Sequence, residues 1–277
     1  MDPLILAAIL SFGAFAGLIG TMLGLGGGVF MIIFFILALN IPVHQAVALS
    51  LLAVIASSSM GGSVYVREKM TNVKLAMVLE TCTVPGAVLG VFLALAMPAS
   101  YMQFILGAVL FYTSFMMLRG RRAVETPVVT KDRLTVSGEF YDDNRGQTVK
   151  YSSVRMKIGL FFSLIAGAIS GIIGIGGGVI MVPIMNLVMK IPMKASAATS
   201  NFMVGVTAAA SAFLYLNRGF VDLYMAVPSV LGIMIGAYIG TRLMVRAESA
   251  ILRRMLGVVL VFFGFVLLLK AGGILVW

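Results

Sequence analysis

A glycine cluster set in apolar sequence occurs twice: Gly24-Leu25-Gly26-Gly27-Gly28-Val29 and Gly174-Ile175-Gly176-Gly177-Gly178-Val179, about 150 residues apart. Glycine is the residue at which a backbone leaves the helical conformation most readily. A break of this kind inside a membrane exposes amide N–H groups and a helix N-terminus, whose partial positive charge attracts an anion. Non-helical backbone at that depth is tolerated only where protein or water covers it. Gly26, Gly27 and Gly28, with Gly176, Gly177 and Gly178, are therefore candidate anion-binding positions. Close helix packing of the small-xxx-small kind is the competing reading. It is the one that suits Gly86-xxx-Gly90, Gly232-xxx-Gly236 and Gly236-xxx-Gly240. No Gly-Lys-Ser/Thr follows either cluster, which argues against a phosphate-binding loop.

Polar side chains follow each cluster: Ser50, Ser57, Ser58 and Ser59 in one half, Thr199, Ser200, Asn201, Thr207 and Ser211 in the other. Hydroxyls and a carboxamide can donate to an oxyanion without the desolvation cost of a buried cation. Ser50, Thr199, Ser200 and Asn201 are the candidate substrate-binding side chains. Interhelical bonds and back-bonding to helix carbonyls are the competing account. Glu80 lies six residues beyond Lys74, about 9 Å along a helix. A carboxyl there could carry a coupled proton, or could reach out to water or a basic neighbour. His44, at a helix entrance, is a second candidate for proton coupling or simply a loop residue. With one cysteine and one histidine in the chain, neither an intramolecular disulfide nor a Cys-cluster or multi-His metal site can form, and no metal or cofactor is expected. Cys82 and the 20 methionines read as apolar packing.

These residues need elements to hold them, and the composition says which kind. The 277 residues are 61% hydrophobic and 11% charged, with mean hydropathy +1.09; soluble domains carry about 25% charged residues. Lipid bilayer is thus the expected surroundings, and helices rather than an alternating barrel pattern supply the spans. The net charge of +10 raises nucleic acid as a partner, but the Lys and Arg residues stand at the ends of apolar runs, where they anchor helices and set topology. No nucleic-acid partner is expected. Met1-Asp2-Pro3 lacks the basic region of a signal peptide and reads as the start of a first membrane helix.

Residues 4–22 form a first apolar segment, and Val29–Leu39 follows the glycine cluster. Asn40-Ile41-Pro42 ends it, since proline and the residue before it disfavour helix. Those eleven residues reach about 17 Å, too short to span, so 4–39 reads as a hairpin or broken helix. Val43–Val66, Lys74–Met97 and Tyr101–Leu118 are full spans. The second half replays the first: Gly17, Met31, Pro42, Ser50, Tyr65, Gly86 and Gly90 match Gly167, Met181, Pro192, Ser200, Tyr215, Gly236 and Gly240. The expected fold is an all-α integral membrane protein of two inverted-topology repeats with Gly-rich broken or re-entrant helices. Repeat 1 is 1–122, a hydrophilic linker 123–156, and repeat 2 157–277. Arg133–Tyr141 and Gln147–Tyr151 around Asp142–Gly146 suggest a β-hairpin in that linker, a disordered tether being the alternative. Inversion places all but Arg218 and Lys270 of the 20 Lys and Arg on one side. By the positive-inside rule this predicts both termini outside, a cytoplasmic linker, and residence in the plasma (inner) membrane.

Paired G-x-G-G-G clusters, an Ile-Pro a dozen residues on, then a small-hydroxyl triplet resemble the TauE/SafE sulfite exporter family of membrane permeases. Gly174–Gly178, Pro183, Pro192 and Thr199-Ser200-Asn201 match its pattern in the second half. The first half departs, with Ile33 opposite Pro183 and Leu49-Ser50-Leu51 in place of the triplet. The resemblance implies export of small sulfur-containing anions, such as sulfite or organosulfonates, through a site between the repeats by alternating access, and no enzyme activity. An anion channel with the same lining is the alternative; a membrane enzyme would need a catalytic cluster, and a structural scaffold would need no duplicated break. The expected partners are a small anionic substrate and the bilayer, with a homodimer left open.

Overall fold

The computed structural model describes residues 3–119, 135–143 and 146–271, the last five without their side chains. Both chain ends and the first part of the expected linker, 120–134, lie outside the described residues. The helices are α1 (Pro3–Leu23), α2 (Gly28–Leu37), α3 (Val43–Arg67), α4 (Val73–Ala96), α5 (Ala99–Arg119), α6 (Met156–Ile173), α7 (Gly178–Pro183), α8 (Met193–Leu216), α9 (Leu223–Arg246) and α10 (Ser249–Ala271). All but α2 and α7 are long and apolar enough to cross a membrane, eight candidate spans among the described residues. Large apolar side chains such as Phe92, Phe104, Phe161, Phe213 and Phe262 point outward from them, as expected of a protein whose solvent is lipid.

Each half begins with a helical arm that folds back on itself at the glycine cluster. Phe12 of α1 stacks on Phe34 of α2 at 4.3 Å between ring centroids, and Phe15 meets Phe30 edge-on. In the second half Ser163 of α6 reaches Met181 of α7 at 3.7 Å. The two returning arms differ where the sequences differ. With Ile33, α2 stays regular over ten residues. At Pro183, α7 gives way to a π-helical turn over Ile184–Val188, because proline has no N–H to donate and its ring crowds the preceding turn. Both arms end in a left-handed residue at equivalent positions, Asn40 (φ 49°) and Lys190 (φ 60°), before Ile-Pro starts the next helix.

The halves interlock rather than sit side by side. α1 packs along α9, and α6 along α4, so that the first helix of each half lies against the fourth of the other; α3 pairs with α8 and α5 with α10. Small residues allow this approach. A β-carbon at Gly232, Gly236 or Gly240 would run into the backbone of Leu10, Ala14 or Leu18, and one at Gly86 or Gly90 into that of Leu164 or Ala168. These glycines are packing points, as their spacing suggested.

Two strands, β1 (Ser137–Asp142) and β2 (Gln147–Ser152), pair antiparallel with Ser137 opposite Ser152 and Asp142 opposite Gln147. The hairpin is docked on the helices. Asp142 Oδ1 receives a hydrogen bond from Lys194 Nζ at 2.7 Å, and that ammonium also donates to the Val245 carbonyl at 2.9 Å. Asn72 Nδ2 donates to the Ser137 carbonyl, and Val154 N to that of Met189. Phe140 and Tyr151 are buried beneath it; burial pushes the Tyr151 hydroxyl above the ordinary phenol range, against a smaller opposite effect of its bond to Asn72.

Candidate functional site

The two glycine clusters meet face to face at the centre of the protein. Gly24, Gly26 and Gly27 have φ of 76°, 68° and 75°, and Gly174, Gly176 and Gly177 have 77°, 73° and 81°, a region that L side chains enter only at a cost. These turns bring Gly178 so close to the opposite cluster that its β-carbon would stand 2.5 Å from the Gly24 carbonyl oxygen, while one at Gly28 would lie 3.4 Å from that of Gly174. Val54 of α3 and Val204 of α8 each press against both Gly26 and Gly176. The first amides of α2 and α7, those of Gly28 and Gly178 included, have no intrahelical acceptor, as at any helix start.

Ser50 and Ser200 act across the halves. Ser200 Oγ donates to the Gly24 carbonyl at 2.9 Å, and Ser50 Oγ, its one proton shared with the Val47 carbonyl of its own helix, to that of Gly174 at 2.8 Å, so each hydroxyl reaches a carbonyl freed by the other half's break. Two fully buried tyrosines repeat the arrangement one turn earlier: Tyr65 Oη donates to Thr21 O at 3.0 Å and Tyr215 Oη to Gly171 O at 3.2 Å. This two-fold pattern ends at the next pair. Ser57 donates to the Gly26 carbonyl, but its counterpart Thr207 turns to Glu80, 3.0 and 3.1 Å from its two carboxyl oxygens. Glu80 is the only acidic residue in the sequence of the ten helices, and it is buried between α4 and α8.

Thr199, Ser200 and Asn201 are fully buried but face different partners. Thr199 Oγ1 accepts from Asn72 N at 3.0 Å and so ties α8 to the α3–α4 loop. The Asn201 carbonyl accepts from Ser58 Oγ at 2.5 Å. The Asn201 side-chain Oδ1 and Nδ2 have no hydrogen-bond partner among the described residues, and neither do Thr21 Oγ1 and Ser170 Oγ. Ser59 and Ser211 merely bond carbonyls of their own helices. His44 does not join the others: its Nε2 lies 3.1 Å from the Ala94 carbonyl and its ring stacks on Phe220. Ala94 is about 21 Å along α4 from Glu80, so the two candidate proton groups are not brought together. Lys194 occupies the place equivalent to His44 and makes the equivalent contact to the end of α9.

Thr21 and Ser170 were not singled out by sequence reasoning. A signal was available: each is a hydroxyl residue where the other half has glycine, Gly171 and Gly20 respectively.

A duplicated helical protein of eight candidate spans, its two glycine breaks clasped at the centre, has the build of a multi-pass membrane transporter. The chain belongs to the TauE/SafE sulfite exporter family, whose model matches residues 9–267. It is similar to the probable membrane transporter protein YunE of Bacillus subtilis strain 168, 24% identical over 259 residues covering 91% of this chain and 93% of that one. A second relative from the same organism, the probable membrane transporter protein YdhB, is 24% identical over 82% of this chain and 85% of its own. A probable membrane transporter protein of Xylella fastidiosa strain 9a5c is 24% identical over 88% and 89%. No solved structure matches the chain significantly.

Proposed function

We propose that the protein exports small sulfur-containing anions, sulfite or sulfonates, by alternating access between two inverted repeats. The observation that carries this reading is the reciprocal clasp of the glycine breaks, in which Ser50 and Ser200 each complete the opposite half. Inversion is supported by what lies at each end of the molecule. His44, at the start of α3, meets the end of α4 and the loop after α8. Thr71, just after α3, and Lys194 meet the start of α8 and the end of α9. α3 and α8 therefore run in opposite directions, and the Lys and Arg distribution supports a cytoplasmic hairpin end. Gly27 and Gly28, with Gly176–Gly178, supply amide groups near a substrate held between the halves, the Gly26 amide being taken by the Gly20 carbonyl. Ser50, Thr199 and Ser200 position the backbone, and Asn201 faces the substrate. Export of an anion from an inside-negative cell is favoured by roughly 2.3 kcal/mol per charge per 100 mV. Glu80, bonded to Thr207 between α4 and α8, is placed to link a proton to the movement of those helices.

Purified protein in proteoliposomes loaded with labelled sulfite or a sulfonate is expected to give saturable efflux without single-channel conductance. Conductance steps would favour the channel instead. Glu80→Gln is expected to abolish any acceleration by a pH gradient while leaving anion exchange intact. Absence of flux and of ligand-induced thermal stabilisation across the panel would overturn the substrate class.

A further inference from the structure

We infer that Thr21, Gly61 and Asn201 form the subsite that grips the anion, an inference resting on the transport reading above. The three converge from α1, α3 and α8: a β-carbon at Gly61 would collide with Asn201 Nδ2 and stand 2.7 Å from Thr21 Cγ2. Thr21 Oγ1 and both polar atoms of the Asn201 amide are buried without a hydrogen-bond partner among the described residues. Such groups destabilise a fold unless something else bonds them. The Asn201 backbone carbonyl accepts from Ser58, which ties this turn of α8 to α3 beside the subsite. Together these residues offer one hydroxyl and two amide N–H donors and no formal charge. That chemistry fits a small oxyanion bound through neutral donors, weakly enough to be released again. The equivalent positions in the other half are Gly171, Ser211 and Leu51, which carry neither the amide nor the hydroxyl of Thr21. The subsite is thus single and lies on the hairpin side of the clasp.

The test uses the full chain in proteoliposomes with sulfite as probe. Thr21→Val, nearly isosteric, and Asn201→Leu, the residue of the other half, are expected to raise the KM for efflux about tenfold or more, since each removes a hydrogen bond to a charged partner. Thr21→Ser should restore it. Thr21→Val should also raise the ligand-free thermal midpoint while losing stabilisation by sulfite, which a purely structural role would not produce. Wild-type flux with unchanged KM in Thr21→Val and Asn201→Leu overturns the subsite alone. Wild-type protein that neither moves sulfite nor is stabilised by it overturns subsite and transport reading together.

On the hairpin side of Asn201, Thr71 and Asn72 of the α3–α4 loop bond Ala198 and Thr199 at the start of α8, and the hairpin bonds that loop through Asn72 and Ser137 and α8 through Asp142 and Lys194. We propose that the hairpin is the gate on this side of the site and must leave α8 for the substrate to enter. Asn72→Cys with Ser137→Cys, in a Cys82→Ser background free of other thiols and bridged by a short reagent joined through disulfides, is expected to reduce efflux to background, with recovery on reduction. Full efflux from the bridged protein, with bridging verified by mass, would overturn the gate.

Discussion

Gly24→Ala and Gly174→Ala are expected to destabilise the fold strongly, by roughly 2–5 kcal/mol, and to lower the thermal midpoint and the yield of monodisperse protein accordingly. The left-handed backbone alone costs a non-glycine residue roughly 1–2 kcal/mol, and φ is 76° and 77° here. Packing adds more. The new methyl at Gly24 would lie 2.5 Å from the Ala197 carbonyl oxygen and 2.6 Å from Ala197 Cα, atoms of a helix backbone that cannot turn aside. At Gly174 it would lie 2.9 Å from both Ser50 Oγ and the Val47 carbonyl. Overpacking of a filled core adds about 1–3 kcal/mol, against a total stability of roughly 5–15 kcal/mol. Gly219→Ala separates the two contributions, because Gly219 has φ 74° with nothing within 4 Å. It should cost only the backbone share. Monodisperse yield and thermal midpoint in detergent are the measurements. Gly24→Ala no worse than Gly219→Ala would show that the central clasp is not tightly packed.

The second large effect is at the Lys194–Asp142 pair. Its side chains are 1% and 6% exposed, so removing one partner strands the other charge in a dry site, at about 3–5 kcal/mol. Lys194→Met and Asp142→Asn should each lower the thermal midpoint and speed proteolytic cleavage between β1 and β2. The double variant should recover most of the loss, because a neutral pair carries no desolvation penalty to offset. Additive losses would mean that the two side chains act separately. The exposed Lys150–Glu139 pair on the same hairpin, at 3.7 Å, should contribute little.

What the sequence disclosed was whatever depends on a residue and its near neighbours. Glycine spacing gave the breaks, Pro42 and Pro192 gave the limit of the returning arms, and Asp142–Gly146 gave the hairpin turn. The pairing of equivalent glycines gave the duplication. Contacts between distant segments were not legible. Ser50 and Ser200 looked like ligands, yet their hydroxyls are committed to carbonyls 124 and 176 residues away. A serine that buttresses a backbone and one that binds substrate have the same letter and the same apolar neighbours. Lys194 read as one more interfacial cation because Asp142, its partner, lies 52 residues earlier in the linker. Thr21 was hidden within an apolar helix, and only its mismatch with Gly171 marked it.

The reciprocal bonds across the clasp also impose an order on how the protein can be made. Residues up to α5 leave the ribosome well before Ser200 or α9 exists, so the Gly24 carbonyl waits without its donor and the small-residue face of α1 waits without its partner. In hydrocarbon each unmet backbone group costs several kcal/mol. The first half must therefore stay sheltered, by the insertion machinery or by water, until α8 and α9 arrive. α6 and α7 meet no such delay, since Ser50 and α4 are already in place to receive them. The second half folds onto a template, and the first is finished only when the second is complete.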